Sequence, residues 1–316
     1  MTPPLSPARR ALRAITVAAC LPYVSLKIAW IAGSRIGIPD GSVLLEHRTV
    51  MAVANGVTVL MDAAVVVLAL LLTQAWGLRV RAWLPAVPMW GATGLLSPIV
   101  VAYPAQLVLA AFMGAPRRVA DGRPFLEDWV FGVVYGGFIV QALALGALFV
   151  TYARDRWGHV ARGRVGELPR SLSGAGTRAT AVVASLLALV PVALHTLWAF
   201  GVEGGLTPAR IAERTSDFAL LEGMRVAFAA VAVAGTLMLV FRLGRSLRVR
   251  TPLALAWLGS AALGSWGAYL LTAALLPVDD PGKRVTGWML TAYAGEMITG
   301  LLMAGCLAVV LRRRGA

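Results

Sequence analysis

The sequence predicts an all-α protein, a polytopic membrane helix bundle with eight transmembrane helices. Of its 316 residues, 59% are hydrophobic and 14% are charged, and the mean hydropathy is +0.76. Soluble domains contain roughly 45–50% apolar and about 25% charged residues, so this composition excludes an ordinary soluble enzyme. In addition, long apolar segments recur along the chain, and arginines concentrate in alternate connecting segments.

Eight segments are apolar enough and long enough to span a bilayer, which takes about 20 helical residues. They are 12–32, 50–73, 86–112, 129–151, 180–201, 221–242, 253–276 and 286–310. The third contains Pro88, Pro98 and Pro104. We expect a kinked or broken helix there, because an internal proline removes a backbone hydrogen bond. Glu222 and Arg225 shorten the apolar run of the sixth segment.

The distribution of charge predicts the orientation of the chain. The net charge is +14, from 29 basic and 15 acidic residues. With the N-terminus inside, the cytoplasmic segments contain eighteen arginines and two acidic residues, and the four opposite loops, with the ends of their spans, contain ten basic and eleven acidic residues. Cytoplasmic loops of membrane proteins are enriched in Lys and Arg, so both termini are predicted to be cytoplasmic. The positive charge then reflects topology, and we expect no nucleic-acid partner.

Internal similarity indicates two copies of a four-helix unit. The pattern Leu-[Lys/His]-x-x-Trp-x-x-Gly, here called the tryptophan motif, ends the first span at 26–33 and the fifth at 194–201, an offset of 168 residues. Two further patterns, Leu-Arg-Val-Arg and Tyr-x-Gly, recur in the same order at 78–81 and 247–250, and at 135–137 and 293–295. Because each copy has an even number of spans, we expect two parallel repeats related by an axis along the membrane normal.

The duplication predicts three parts: a first four-helix repeat at 1–151, a basic cytoplasmic linker at 152–179, and a second four-helix repeat at 180–316. Gly132 and Gly136 form a G-x-x-x-G pattern in the fourth span. Small residues at this spacing allow helices to approach closely. The pattern is used either within the chain or as the interface of a homo-oligomer.

Four ionisable residues lie inside the spans: Lys27, Asp62, His195 and Glu296. A charge near the bilayer centre costs about 2.5–3.5 kcal/mol on insertion scales, so each is expected to face the protein interior and to have a partner. The simplest pairing is Lys27 with Asp62 and His195 with Glu296. The neutral candidates for the same ligand or proton-relay site are Asn55, Gln141 and Thr299.

These residues allow two interpretations. In the first, Asp62 and Glu296 face an interior polar cavity, and at least one of them changes protonation during function. In the second, the role is structural: Lys27 extends to the headgroups, and His195 is neutral and hydrogen-bonded to a neighbouring helix. A water-sized path from either carboxyl to one membrane face would favour the first interpretation.

The sequence gives little support to enzymatic chemistry. It contains no phosphate-binding loop, no H-E-x-x-H pattern, no G-x-S-x-G pattern and no cysteine pair at metal spacing. Cys20 and Cys306 lie in separate apolar segments. We therefore predict no catalytic residues, no metal site and no cofactor, although membrane enzymes with scattered acidic residues lack such local patterns.

In its composition and its repeated tryptophan motif, each copy with a proline upstream, the chain resembles uncharacterised multi-pass membrane proteins of high-GC Gram-positive bacteria. The resemblance implies a plasma-membrane location and no particular activity. Two functions stay open. One is a transporter-like protein for a small solute or for protons, with a polar site between the repeats. The other is an accessory, sensory or assembly protein of the membrane whose buried charges specify helix packing.

Overall fold

The computed structural model describes residues 6–45, 48–113, 126–212, 214–276 and 280–315. Within these ranges the chain folds into helices and contains no strand. The helices are α1 (Pro7–Ile31), α2 (Arg48–Thr73), α3 (Trp83–Met113), α4 (Asp128–Trp157), α5 (Ala175–Ala199), α6 (Pro208–Ala212), α7 (Ser216–Phe241), α8 (Arg250–Ala274) and α9 (Gly287–Gly315). All but α6 are long and apolar enough to cross a membrane. The predicted all-α class with eight spans is confirmed.

Local sequence signals define several helix ends. The Ser6 hydroxyl accepts a hydrogen bond from the Arg9 backbone N–H at 3.4 Å, and Pro7 occupies the first turn of α1. A serine cap followed by proline is typical of a helix start. The last turn of α9 contains three consecutive arginines, whose charge is favourable at the negative end of the helix dipole.

The third span continues as one helix through its prolines, so the broken helix that was one of the two expectations is wrong, whereas a kink stays a prediction. Pro88, Pro98 and Pro104 all lie inside the uninterrupted helix α3. In the turn before Pro98, the Leu95 carbonyl accepts a hydrogen bond from the Trp266 indole at 3.2 Å. Prolines are tolerated inside membrane helices, because neighbouring side chains and local adjustments satisfy the freed backbone groups.

Contacts divide the chain into two compact units. Unit 1 comprises Met1–Met89 and Ala110–Arg156, and unit 2 comprises Trp90–Leu109 and Trp157–Ala316. In unit 1, Trp30, Ile38 and Val130 form a buried cluster. In unit 2, a buried cluster joins four helices through Ala184, Ala229, Ala232, Leu263 and Met303. The predicted boundaries at 151 and 180 were drawn from the duplication in the sequence and not from contacts. They stay a prediction.

The segment after α4 is ordered and packs within unit 2. Three short 3-10 turns, Gly158–Ala161, Val165–Glu167 and Arg170–Leu172, follow α4. Their apolar side chains pack in one cluster with residues of α9 and of the turn before α8: Val165, Leu168, Leu172, Val249 and Val310. This part of the predicted linker therefore shares a small core with α9 and with the turn before α8.

Arginines at the helix ends bind the backbone of this segment. Arg242 donates to the Gly166 carbonyl at 2.6 Å, Arg313 to the Leu172 carbonyl at 3.2 Å, and Arg314 to the Arg162 carbonyl at 3.0 Å. These arginines were predicted only from the charge asymmetry of the loops. They also hold the connecting segment against α7 and α9.

Helices α8 and α9 approach most closely at glycines. A Cβ atom at Gly300 would lie 2.2 Å from the Gly264 backbone nitrogen, so Gly300 does not accommodate a side chain. By contrast, a Cβ atom at Gly132, Gly136 or Gly305 would have no heavy atom within 4 Å apart from the backbone of its own helix turn. Gly132 and Gly136 are thus not at a tight contact within the described part of the chain, and their use in a homo-oligomer stays a prediction.

The glycine contact predicts a position-specific loss of stability. We expect Gly300→Ala to lower the free energy of unfolding by about 1–3 kcal/mol, the usual cost of overpacking. Gly305→Ala, on the same helix and facing open space, should be neutral or slightly stabilising, because alanine favours helix. Thermal unfolding of the two purified variants in detergent tests this difference. Equal melting temperatures would contradict the packing described.

Candidate functional site

Four ionisable side chains meet inside unit 2. His195 comes from α5, Glu222 and Arg225 come from α7, and Glu296 comes from α9. His195 lies near the end of α5, whereas the others lie in the first three turns of their helices. The His195 and Glu296 side chains are only 2% and 3% exposed. The structure therefore brings together two of the residues singled out in the sequence.

Glu296 stands between two basic groups. Its Oε2 accepts a hydrogen bond from Arg225 Nη1 at 2.8 Å, and its Oε1 lies 3.1 Å from His195 Nε2. The other ring nitrogen of His195, Nδ1, is hydrogen-bonded to Glu222 Oε2. Each nitrogen of this buried imidazole thus faces a carboxylate oxygen. We refer to these four residues as the unit 2 cluster.

The unit 2 cluster contains several groups that can hold one proton. A neutral imidazole has a single N–H donor, and an ionised carboxylate only accepts. His195 Nδ1 is hydrogen-bonded to Glu222, and Nε2 lies 3.1 Å from Glu296 Oε1 without a hydrogen bond, so only a ring with a second proton can donate to both carboxylates. With this proton on the ring, the imidazolium and Arg225 balance the two carboxylates. With the proton on Glu222 or Glu296, the cluster is equally neutral.

Aromatic rings line the unit 2 cluster. The His195 and Trp198 rings meet edge to face with centroids 5.3 Å apart, and the Arg225 guanidinium lies 5.9 Å from the centre of the Tyr293 ring. One turn from Glu296, Thr299 is completely buried, and its hydroxyl has no hydrogen-bond partner among the described residues. The predicted candidate Thr299 therefore lies beside the cluster without a contact to it.

A second polar group lies inside unit 1. Lys27 is 7% exposed; its ammonium donates to the Thr58 hydroxyl and lies 4.2 Å from the centre of the Tyr23 ring. Asp62 lies close enough to interact with Lys27 and with Gln141. The described contacts contain no direct ion pair between Lys27 and Asp62. The predicted partners are neighbours rather than a closed pair.

The structure describes the sequence candidates within each unit separately. Lys27, Asp62 and Gln141 interact within unit 1, where Asn55 is buried and its backbone carbonyl accepts a hydrogen bond from Thr58 at 2.9 Å. His195 and Glu296 interact within unit 2. A single site that contains all four ionisable residues stays a prediction.

The tryptophan motif positions the base in each unit. The Trp30 indole donates to the Ile36 carbonyl at 2.7 Å, and the Trp198 indole donates to the Gly204 carbonyl at 3.0 Å. Gly33 and Gly201 follow with φ of +92° and +106°, values that favour glycine and turn the chain out of the helix. Lys27 and His195 lie one turn before these tryptophans, so the motif fixes the helix end that carries each base.

Glu222 and Arg225 are the site residues that the sequence analysis missed. They were treated as an interruption of the sixth span, although two opposite charges three residues apart at the start of an apolar helix indicate a polar face. Their partners lie on α5 and α9, far away in sequence.

The chemistry that this arrangement supports is proton transfer among hydrogen-bonded side chains. Within the described ranges, no group of three or more His, Cys, Asp or Glu residues is arranged to hold a metal ion. No known protein family, no curated protein and no solved structure matches the chain.

A double-mutant cycle tests the central ion pair. Removing one partner of a buried pair leaves an uncompensated charge, so we expect Glu296→Gln and Arg225→Gln each to cost about 3–5 kcal/mol of stability. The double variant should lose less than the sum, with a coupling energy of about 1–3 kcal/mol.

Reversible unfolding in mixed micelles measures these energies. Glu203→Gln serves as the control, because the Glu203–Arg214 pair is long, at 3.6 Å, and the Glu203 side chain is 63% exposed. This variant should change stability by less than about 1 kcal/mol. Additive effects of the two buried substitutions would show that Arg225 and Glu296 do not interact in the folded protein.

Proposed function

We propose that this protein is a proton-linked, transporter-like protein of the plasma membrane that moves a small solute or protons. The observation that carries the proposal is the buried His195 ring between the carboxylates of Glu222 and Glu296. This arrangement holds one proton that can move between ring and carboxyl without a change in net charge. Such movement avoids the cost of an unbalanced charge within the bilayer.

The exposure of the four side chains supports a route for the proton. Those of His195 and Glu296 are closed off, whereas those of Glu222 and Arg225 retain 11% and 19% exposure. Glu222 is thus the accessible acid, and it contacts His195 directly. The proposed order of transfer is from outside the unit to Glu222, then to His195, and then to Glu296.

The first residues and the last residues of corresponding helices are separated by a constant number of residues, which supports the proposed duplication. Internal repeats are common among carriers. Helix α1 begins and ends at Pro7 and Ile31, and α5 at Ala175 and Ala199, which is 168 residues later at both ends. The bounds of α2 and α7 differ by the same 168 residues. The tryptophan motifs have this offset as well.

We also propose that both termini are cytoplasmic. The eighteen arginines of the assigned cytoplasmic segments support this orientation. In this orientation, the loops after α1 and α5 face outward, and the unit 2 cluster lies in the outer half of the membrane.

A second candidate is an accessory, sensory or assembly protein in which the charges only specify helix packing. The observation that favours it is the close pairing of Glu296, which is 3% exposed and contacts both Arg225 and His195. A buried pair of this kind restricts which helices can pack together. On this alternative, the proton stays in place and the cluster carries no flux.

A flux assay in vesicles separates the two candidates. The full chain is reconstituted with an internal pH-sensitive dye, and proton uptake is followed after a pH jump, alone and with each of a panel of sugars, amino acids, nucleosides and inorganic ions. Wild type should exceed empty vesicles. Glu222→Gln should reduce the rate by about 100-fold, the low end of what a lost proton-transfer group costs.

The control is Glu203→Gln, which removes an exposed acid and should keep the wild-type rate. Thermal unfolding of each variant, measured in the same lipid, separates loss of flux from loss of fold. The proposed function would be rejected if folded wild-type protein took up protons no faster than empty vesicles with every solute of the panel. That result would favour the structural role.

A further inference from the structure

Unit 1 contains two buried oxygens that lack a hydrogen-bond donor. They are Oδ2 of Asp62 and Oε1 of Gln141, in side chains of residues that are 4% and 2% exposed. The two side chains lie close enough to interact with each other. A buried acceptor without a donor is unfavourable, so two of them at one place indicate that a proton or another donor is missing.

The nearby cation does not satisfy Asp62. Lys27 interacts with Asp62 electrostatically, yet its ammonium donates to Thr58 and lies over the Tyr23 ring. The other titratable groups that face Asp62 are Tyr23 and Cys20, both from α1. From α4, Gln141 faces Asp62, and it carries no charge. Lys27 is thus the one described cation facing this carboxyl.

We propose that Lys27 and Asp62 form a second proton-binding site of the protein, within unit 1. In one state, a Lys27 ammonium faces an Asp62 carboxylate. In the other, an N–H bond of Lys27 breaks, its electron pair stays on nitrogen, and the proton forms an O–H bond at Asp62. Both states are neutral overall, so the exchange leaves no net charge in the apolar interior.

The second state accounts for both unsatisfied oxygens. A carboxylic acid and a primary amide can form two complementary hydrogen bonds, in which the amide N–H donates to one carboxyl oxygen and the acid O–H donates to the amide oxygen. Protonation of Asp62 at Oδ2 therefore provides the donor that Gln141 Oε1 lacks, and it also removes the bare carboxylate oxygen. An ionised Asp62 leaves both oxygens without a donor.

The position of Lys27 supports this assignment. Lys27 and His195 each lie three residues before the tryptophan of their motif, at the end of α1 and of α5. In both units this base lies near an acid from a neighbouring helix, Asp62 of α2 in one case and Glu222 of α7 in the other. Each unit then holds one exchangeable proton. The inference rests on the proposed function for its role in coupling, whereas the site itself is independent of the unit 2 cluster.

Infrared spectroscopy of the full chain in lipid vesicles tests the site without substitution. A protonated carboxyl has a C=O stretch distinct from that of a carboxylate, and ¹³C labelling of aspartate side chains shifts it. Asp62 is the one buried aspartate among the described residues. At neutral pH we expect the C=O band of a protonated carboxyl, and this band should shift when aspartate is labelled. The Asp62→Asn variant should lack the band.

Two variants define the partners. Gln141→Leu removes one hydrogen bond and should move the band to higher frequency. Lys27→Met removes the alternative proton holder, and the band should then persist into alkaline solution. Glu203→Gln, which removes an exposed acid outside both polar groups, serves as the control and should leave the band unchanged.

The absence of an aspartate-labelled band at any pH in folded wild type would overturn the second site. So would a band that titrates identically in wild type and Lys27→Met. These results are separable from the flux assay. Loss of flux in Glu222→Gln without an Asp62 band would reject this site alone, whereas an Asp62 band in a protein without flux would reject the proposed function alone.

Discussion

A buried charge in an apolar helix bundle needs a partner from another helix, and the polar interior of this protein follows from that requirement. In unit 2, Glu296 of α9 contacts Arg225 of α7 and His195 of α5, so one carboxylate links three helices. The contact of α9 with α8 at Gly300 contributes to the same packing, because a side chain there would push the two helices apart.

The buried charges of the two units are paired to different degrees. In unit 2, both nitrogens of the base contact acids, and Arg225 supplies a fixed positive charge. In unit 1, Lys27 contacts a hydroxyl and an aromatic ring, and Asp62 retains an oxygen without a donor. The tryptophan motif holds the base at the same helix position in both. The base at this position thus has different partners in the two units: two carboxylates in unit 2, and a hydroxyl and a ring in unit 1.

Composition and periodicity were sufficient to predict the helical class and the eight spans, because a helix that crosses lipid must satisfy its backbone internally and be apolar along its length. They also singled out His195 and Glu296, since charges inside such helices are rare. They did not identify Glu222 and Arg225 as partners, or the arginine contacts to the connecting segment, because these contacts join helices distant in sequence. The break expected in the third span was wrong, since membrane helices tolerate internal prolines where other groups satisfy the freed backbone.

The most direct test of the shared proton is the protonation state of His195. The chain has three histidines, so His47→Gln and His159→Gln leave His195 as the only ¹⁵N-histidine signal in lipid-embedded protein. Solid-state NMR at neutral pH should show two ring nitrogens that both carry or share a hydrogen-bonded proton, and Glu222→Gln should change Nδ1 more than Nε2. A ring nitrogen that is bare and without a hydrogen bond, in wild type and at every pH at which the protein is folded, would contradict the account.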